Sequence, residues 1–301
     1  MIHDNDSPKT GETAGISLEM RVEAALAESA AGRLSPEARV TVDELLAQLE
    51  AGTVRAACRD ETGKWNAVPW VKRGILLGFQ LGTLEDMSPE RGTAREAQPG
   101  FRFFDKDTYP LRAFRLEDGV RIVPGGSSIR RGAYVAKGVV CMPPMYVNVG
   151  AHIGAGTMVD SHALVGSCAQ VGERVHLSAA AQIGGVLEPI NASPVVIEDD
   201  VIVGGNCGIF EGTVVRARAV IGAGVVLTRG TPVFDLVRET VYRGTAENAL
   251  EIPENAVVVP GARRVTSGWG SAEGLSLQTP VIVKYRDDKT DSSTALENWL
   301  R

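Results

Sequence analysis

The chain has 301 residues, with 31 Lys or Arg against 37 Asp or Glu, so its formal net charge at pH 7 is −6. Hydrophobic residues make up 44% and charged residues 23%, which excludes a disordered tail protein and a membrane protein and argues against a nucleic-acid-binding protein, since those carry a basic excess. With 34 Gly and only 5% aromatic residues, the composition predicts many tight turns around a core of small aliphatic side chains.

The N-terminal stretch MIHDNDSPKTGETAG is polar and acidic and lacks the basic and apolar regions of a secretory signal. The uncharged run 138–159 contains Pro and Gly residues that argue against a membrane helix. The four cysteines, Cys58, Cys141, Cys168 and Cys207, form no CxxC pair and no zinc spacing. We therefore expect a cytoplasmic protein with reduced thiols and no bound metal.

Two helices are predicted at the start of the chain, over 17–31 and 36–51. Ser35 and Pro36 are typical of a helix start and Gly52 of a helix end. Short strands are predicted in TVRAACRD and KWNAVPW, which begin at residues 53 and 64, whereas Val71–Phe79 fits a helix or a strand. The turn-rich stretch 83–100 is expected to be mobile.

A six-residue repeat begins at residue 129 and is the strongest signal in the sequence. An aliphatic residue or Cys recurs every sixth position, a small or apolar residue commonly follows four positions later, and Gly often follows directly. The recurring positions are Ile129, Val135, Cys141, Val147, Ile153, Val159, Val165, Val171, Leu177 and Ile183, then Ile197, Val203, Ile209, Val215, Ile221, Leu227 and Val233. This period predicts a parallel β-helix, in which six residues form one strand and corner and three such sides close an 18-residue coil. A β-sandwich would not keep its phase over 17 steps.

The repeat loses its phase once, between Ile183 and Ile197, where 14 residues stand in place of 12. The segment GGVLEPINASPVV must therefore leave the coil as a loop. Such a loop on a rigid scaffold is either a functional segment or a tolerated insertion, and both interpretations stay open at this point.

Beyond the repeat, FDLVRETVYRG predicts two strands, AVVVPGARRV and TPVIVKYR predict extended segments, and TALENWLR predicts a short terminal helix. These elements predict a mainly β fold in three parts. They are an N-terminal α+β domain over 1–115, the hexapeptide-repeat β-helix over 116–240 and a C-terminal cap over 241–301. The cap is expected to cover the unpaired strand edge at the end of the helix.

Asp160 is the only charged side chain between residues 138 and 172, so it is a candidate catalytic acid or base. The alternative is an Asp that caps backbone amides at a corner. Glu211 is a second candidate carboxylate. His152, His162 and His176 are weaker candidates, because a histidine at a coil corner commonly has no chemical role.

Basic residues are concentrated late in the chain and form either a phosphate-binding cluster or an ordinary solvated surface. They are Arg216, Arg218, Arg229, Arg263, Arg264, Lys284 and Arg286. No P-loop or dinucleotide-binding glycine motif is present, so the usual nucleotide-binding loops are excluded.

The hexapeptide array resembles the left-handed β-helix acyltransferases, and further motifs resemble the tetrahydrodipicolinate N-succinyltransferase family within them. The resemblance covers about residues 35–301. Its motifs are WVKRGILLGF (70–79), FRFFDK (101–106), GVRIVPGGSSIRRGAYV (119–135), YVNVGAHIGAGTMVDSHALVGSCAQVGERVHLS (146–178), IGGVLEP (183–189) and VIVK (281–284). It implies a left-handed β-helix, a homotrimer with active sites between subunits, and an acyl-CoA co-substrate.

Position by position, the resemblance assigns Arg121 to a substrate carboxylate and Asp160 to the substrate's amino group, where Asp160 is also the base candidate. A branch of the family has a Glu three residues before the Glu-Gly that matches Glu211-Gly212, and here that position is Gly208. This departure leaves open whether the donor is succinyl-CoA or acetyl-CoA.

The expected reaction moves the succinyl group of succinyl-CoA to the amine of tetrahydrodipicolinate, with no metal and no nucleic-acid or membrane partner. Glycine-rich corners are candidates for the pantetheine arm and late basic residues for the CoA phosphates. The predicted cofactor-binding residues are Gly204, Gly205, Gly222, Ala223, Gly224, Arg263, Arg264 and Lys284.

Two other functions remain as alternatives at this stage. One is a hexapeptide-repeat N-acetyltransferase acting on another amino acid or amino sugar, with His162 or His176 as its base. The other is a non-catalytic or zinc-binding β-helix module, which is disfavoured because His152 and His176 lie 24 residues apart, not a multiple of 18.

Overall fold

The computed structural model describes residues 16–33, 35–88, 102–190 and 192–287. Its N-terminal part contains three helices: α1 (Leu18–Ala30), α2 (Pro36–Ala51) and α3 (Pro69–Leu81). Two antiparallel strand pairs accompany them, β1 (Ala57–Arg59) with β2 (Trp65–Ala67), and β3 (Leu84–Asp86) with β4 (Phe104–Lys106). None of the helices in the described ranges has the length and apolarity required to cross a bilayer.

The predicted helix signals act as expected in α2. The Ser35 side chain accepts a hydrogen bond from the Ala38 amide at 3.3 Å, Pro36 is the first helical residue, and Gly52 ends the helix with φ of 74°. The ambiguous segment Val71–Phe79 is helical and lies within α3. The predicted helix TALENWLR and most of the turn-rich stretch 83–100 lie outside the described residues.

The β-helix consists of two-residue strands separated by corners. They are β5 (Arg121–Ile122), β6 (Ser128–Ile129), β7 (Tyr134–Val135), β8 (Val140–Cys141), β9 (Tyr146–Val147), β10 (His152–Ile153), β11 (Met158–Val159), β12 (Leu164–Val165), β13 (Gln170–Val171), β14 (His176–Leu177), β15 (Gln182–Ile183), β16 (Val196–Ile197), β17 (Ile202–Val203), β18 (Gly208–Ile209), β19 (Val214–Val215), β20 (Val220–Ile221) and β21 (Val226–Leu227). A short 3-10 helix, Leu116–Asp118, precedes them.

The strands form the three parallel sheets that the repeat predicts. Sheet 1 contains β6, β9, β12, β15, β18 and β21, sheet 2 contains β7, β10, β13, β16 and β19, and sheet 3 contains β5, β8, β11, β14, β17 and β20. Outside the excursion, each strand pairs with the one 18 residues later, as Val159 pairs with Leu177. All 17 recurring positions are buried in one continuous core, so the predicted β-helix is confirmed.

The glycine that follows many inward-pointing residues is explained by the stacking of coils. A Cβ at any of these positions would lie under 3.0 Å from an atom of the next coil, and for most of them that atom belongs to the backbone. The six positions are Gly154, Gly166, Gly172, Gly184, Gly204 and Gly222.

The C-terminal part extends two sheets of the β-helix. Strand β22 (Val233–Asp235) pairs antiparallel with β23 (Thr240–Tyr242), as predicted. Strand β24 (Glu251–Ile252) joins sheet 2, and β25 (Ala256–Arg264) joins sheet 3 and forms an antiparallel hairpin with β26 (Ser276–Tyr285). The short helix α4 (Gly268–Ala272) lies in the turn of that hairpin. The domain boundaries stay a prediction.

The N-terminal helices pack on the edge where sheet 1 turns into sheet 2. Val149 and Cys168 of the β-helix are buried in the same apolar cluster as Leu45 and Leu46 of α2 and Ile75 of α3. This packing fixes the N-terminal part against the β-helix and raises the pKa of the fully buried Cys168 thiol to about 12, because burial disfavours the thiolate. Cys168 is therefore unsuited to act as a nucleophile.

Candidate active site

The edge between sheets 3 and 1 carries Asp160 and several of the predicted cofactor-binding residues. We call the set Asp160, Ser178, Gly204 and Gly222 the Asp160 column, because these residues occupy equivalent corner positions on four successive coils. The backbone amides of the first three donate to the next coil at 2.9, 2.9 and 2.7 Å. At about 4.8 Å per coil, Gly222 lies about 14 Å along the edge from Asp160.

The Asp160 carboxylate has one oxygen used in structure and one directed toward a histidine. Its Oδ1 accepts a hydrogen bond from the Ser161 amide at 2.7 Å, which is the corner-capping role considered as the alternative to a catalytic one. Its Oδ2 lies 4.0 Å from His176 Nε2, beyond direct hydrogen-bond distance. The Asp160 side chain is 31% exposed and that of His176 16% exposed. The carboxylate is therefore held in place and still accessible.

Arg121 lies on the same sheet as Asp160 and near the start of the β-helix. It pairs with Val140, and Val140 pairs with Met158, so Arg121 is two strands, or about 10 Å, from the strand that precedes Asp160. Arg121 is exposed. This placement allows one ligand to reach both side chains.

The predicted glycines of the column differ in what their missing Cβ achieves. A Cβ on Gly204 would lie 2.5 Å from the backbone nitrogen of Ala223, and one on Gly222 would lie 2.9 Å from the carbonyl of Val258. Coil stacking therefore requires these two glycines, and the expectation that they are glycines in order to admit a ligand is wrong. Gly224, with φ of 78° and open space around its Cβ position, is the one that leaves room for a ligand. A Cβ on Gly205 would lie 3.3 Å from a backbone carbonyl.

The β25–β26 hairpin begins where the Asp160 column ends. Gly222 donates its amide to the Val258 carbonyl at 2.7 Å, and the Gln278 side chain donates to the Gly224 carbonyl at 3.5 Å. Arg263 and Arg264 are exposed at the far end of β25, and the Arg263 guanidinium lies 5.7 Å from the ring centre of Phe234. Both arginines are thus near the exposed end of the column.

The structure separates Lys284 from these arginines. In the hairpin, Lys284 pairs with Val257 whereas Arg263 pairs with Leu277. Six residues of extended strand separate the two pairs, about 20 Å. The late basic residues therefore do not form one cluster, because an extended hairpin keeps its ends apart. Arg216 is also occupied, with ion pairs to Glu198 and Glu251 at 2.9 and 2.7 Å.

Glu211 lies on a different edge of the β-helix, between sheets 1 and 2. Its backbone has φ of 54°, and its Oε2 accepts a hydrogen bond from the Arg229 amide at 3.2 Å. Within one chain the structure does not bring Glu211 and Asp160 together. Phase counting alone placed both on corners, but it was not used to ask whether the corners were the same.

The loop that breaks the repeat, which we call the excursion (184–195), covers the Glu211 edge. Between them is a groove of about 500 Å³, which we call the Glu211 groove. The excursion contributes Val186, Glu188, Pro189, Ala192 and Ser193 to its lining, and the rest is Glu211, Gly212, Arg229, Ala246, Glu247, Asn248 and Ala249. The excursion thus forms part of a concave polar site.

Gly208, where the family branch has a Glu, is buried beside an aromatic ring. A Cβ at this position would overlap the ring of Phe210. A Glu side chain therefore does not fit unless Phe210 moves, which gives a physical reason for the departure.

The other two histidines lie away from Asp160. His152 is on sheet 2, stacked on Tyr134 with ring centroids 4.3 Å apart, and burial together with the charge of Arg55 lowers its pKa to about 3. His162 is exposed at a corner with φ of 63°. Within the described ranges, no three His, Cys, Asp or Glu side chains converge in a way that suits a metal ion.

Sequence reasoning missed two features of this site. The approach of His176 to Asp160 was detectable, because residue 176 is 18 after Met158 and so directly beside the strand that precedes Asp160. The contact of Lys72 in α3 with the excursion gives no periodic signal.

Comparison with known proteins identifies relatives over most of the chain. Residues 17–81 match the family "Tetrahydrodipicolinate N-succinyltransferase N-terminal", and residues 194–229 match "Hexapeptide repeat of succinyl-transferase". The 2,3,4,5-tetrahydropyridine-2,6-dicarboxylate N-succinyltransferase of Polynucleobacter asymbioticus is 40% identical over 277 residues, 89% of this chain and 93% of that protein. The same enzyme of Bradyrhizobium diazoefficiens is 41% identical over 269 residues, 88% and 90% of the two chains.

A solved structure, that of a Campylobacter jejuni protein described as a 2,3,4,5-tetrahydropyridine-2-carboxylate N-succinyltransferase, is 19% identical to this chain. The match covers 83% of this chain and 63% of that one, with a TM-score of 0.47.

Proposed function

The chain belongs to the tetrahydrodipicolinate N-succinyltransferase family, and from that premise we infer that it catalyses acyl transfer from an acyl-CoA to the amine of tetrahydrodipicolinate in diaminopimelate and lysine biosynthesis. The relatives' name favours this reaction over the N-acetyltransferase alternative. We further propose that the donor is succinyl-CoA and that the protein acts in the cytoplasm.

The observation that carries the site assignment is the Asp160 column. It lines up an accessible carboxylate, glycine corners and a hairpin with exposed arginines on one edge of the β-helix. The thioester end of the acyl donor lies beside Asp160 in this arrangement, and its pantetheine arm follows the edge past Gly205, Ala223 and Gly224. Arg263 and Arg264 then contact the CoA phosphates.

Lys284 has a different position from the one predicted for it. At about 20 Å from Arg263 along the hairpin, it does not contact the same phosphate group of one CoA as the two arginines. The proposed phosphate site therefore consists of Arg263 and Arg264.

The chemistry requires a proton acceptor and a fixed acceptor substrate. The amine nitrogen attacks the thioester carbonyl, the N–C bond forms, and the C–S bond breaks to release the CoA thiolate. Asp160 accepts or positions the proton that leaves the nitrogen, and Arg121 holds a carboxylate of the substrate in bidentate fashion. Addition of one water opens the ring, which gives N-succinyl-2-amino-6-oxopimelate.

The separation of Asp160 and Glu211 supports a homotrimer with sites between subunits. The two carboxylates lie on different edges of one β-helix, so both contribute to one reaction only if a second copy presents its Glu211 groove to the Asp160 column. This arrangement assigns Glu211 and the excursion to the neighbouring subunit's contribution.

A thiol-release assay with tetrahydrodipicolinate tests the proposal. We expect CoA release with succinyl-CoA to exceed that with acetyl-CoA at least 10-fold in kcat/KM, with the succinylated product confirmed by mass spectrometry. Equal rates with the two donors contradict the assignment of succinyl-CoA, and no release with either contradicts the reaction. The Arg263→Ala variant is expected to raise the KM for succinyl-CoA, with unchanged KM refuting phosphate binding there. Sedimentation at assay concentration tests the trimer, since full turnover by a monomer contradicts shared sites.

A further inference from the structure

Lys72 is a fully buried lysine whose ammonium group contacts only backbone oxygens of the excursion. It lies on α3 with 0% exposure. Its Nζ donates to the carbonyls of Pro189, Ile190 and Ala192 at 3.3, 3.0 and 2.7 Å. A lysine ammonium has three donors, so these three carbonyls satisfy it completely.

Burying a cation is costly unless its donors are all used, which makes the contact specific to this loop position. Burial lowers the pKa of Lys72, and the ion-dipole contacts with the three carbonyls oppose the loss of charge. An apolar side chain would fill the same space in the N-terminal core and would leave the three carbonyls without this donor. The sequence therefore retains a polar group where only the excursion uses it.

The far side of the excursion packs directly on the turn that carries Glu211. A Cβ on Gly212 would lie 2.6 Å from the Ser193 carbonyl oxygen, and Gly212 has φ of 73°. The near side is tied to the coil below, where Val186 donates its amide to the Ser167 carbonyl at 3.1 Å. Lys72, the excursion and the Glu211 turn therefore form one continuous chain of contacts.

We propose that Lys72 is a positioning residue for the acceptor substrate, acting through the excursion to shape the Glu211 groove. This inference rests on the proposed function, in which that groove belongs to the active site. The Asp160 column lies on another edge and does not touch the excursion through these contacts, so the effect of Lys72 is confined to the acceptor side.

The test compares Lys72→Met with Arg131→Met in the full-length protein. Arg131 is a matched control because it also joins the N-terminal part to the β-helix, through an ion pair of 2.8 Å with Asp43 that does not involve the excursion. For Lys72→Met we expect faster amide hydrogen exchange in peptides covering the excursion and a KM for tetrahydrodipicolinate raised at least fivefold. The kcat and the KM for succinyl-CoA are expected to stay within twofold. Arg131→Met is expected to change neither the exchange of the excursion nor either KM.

Gly212→Ala disturbs the same chain of contacts from its other end and keeps the proposal testable if Lys72→Met does not fold. It is expected to raise the same KM, because its new Cβ displaces Ser193. Unchanged exchange in Lys72→Met, or faster exchange with an unchanged acceptor KM, overturns the positioning role. These outcomes are distinct from failure of the proposed function, which shows as an absence of turnover in the unaltered protein.

Discussion

His176 Nε2 lies 4.0 Å from Asp160 Oδ2, on adjacent coils of one sheet, with both side chains at least two-thirds shielded from solvent. At this distance the charge of one group acts on the protonation of the other. A substrate amine that enters between them contacts the carboxylate with the imidazole at its side. The pair, not Asp160 alone, therefore sets the electrostatics of proton transfer.

Replacing His176 by Asn is expected to lower kcat/KM about 10-fold and to move the acid limb of its pH profile. The physical reason is the loss of a titratable group beside Asp160. His162→Asn is the matched control, because His162 is exposed at a corner with φ of 63°, a conformation that Asn tolerates. A fall in rate with an unmoved pH profile contradicts a role in proton transfer.

Asp160→Asn separates the structural role of this residue from its chemical role. Asn keeps an Oδ1 that accepts from the Ser161 amide, so the melting temperature is expected to stay near that of the unaltered protein. Loss of the carboxylate is expected to lower kcat by a factor on the order of 10² or more, which is typical for a general base.

The control for this variant is Asp199→Asn. Asp199 is an exposed carboxylate on another edge, whose Oδ1 accepts from the Glu173 amide at 2.8 Å, and Asn preserves that bond as well. Turnover of Asp160→Asn close to that of Asp199→Asn removes Asp160 from acid–base catalysis. If His176→Asn is then the inactive variant, the base is the histidine.

The hexapeptide pattern predicted most of the fold because each position in a β-helix has one fate. A residue such as Val159 points inward on every coil, and its neighbours are fixed 18 residues away. The same arithmetic predicts that Asp160, Ser178 and, once the two extra residues are counted, Gly204 share a corner. Site residues on regular coils are therefore predictable from sequence.

Contacts made by irregular segments were not predictable in this way. The repeat shows that residues leave the coil after Ile183, but it contains no information on where that loop packs. Lys72 lies in an apolar helix, where a single lysine usually points to solvent. The extended β25–β26 hairpin likewise separates Lys284 from Arg263, although both are late basic residues.

Coil stacking predicts that glycines after inward positions are required for stability and not for catalysis. Gly154→Ala is the clearest case, because its Cβ would lie 2.5 Å from the backbone of Gly172 and the site is remote from the Asp160 column. We expect a loss of about 1–3 kcal/mol in the free energy of unfolding, from forced backbone displacement. Gly230→Ala, with no atom within 4 Å of its Cβ position, is the matched control. Equal melting temperatures for the two variants contradict the stacking argument.

Stability is expected to depend on pH through His152. Burial, and secondarily the charge of Arg55, lower the pKa of this imidazole to about 3, against about 6.5 in an unfolded chain. Between these values the unfolded chain binds more protons than the folded one. The contribution of His152 to stability is therefore complete above about pH 6.5 and decreases as the pH falls toward 3, by up to about 1 kcal/mol per pH unit.

His152→Phe removes this titration and keeps a ring to stack on Tyr134, which lies 4.3 Å away between centroids. Melting temperatures measured from pH 7 to pH 4 are expected to fall less steeply for His152→Phe than for the unaltered protein. His162→Asn, which removes an exposed imidazole, is expected to keep the steep dependence. Parallel curves for all three proteins show that His152 is not held neutral by its surroundings, because a group with equal pKa in both states contributes no slope.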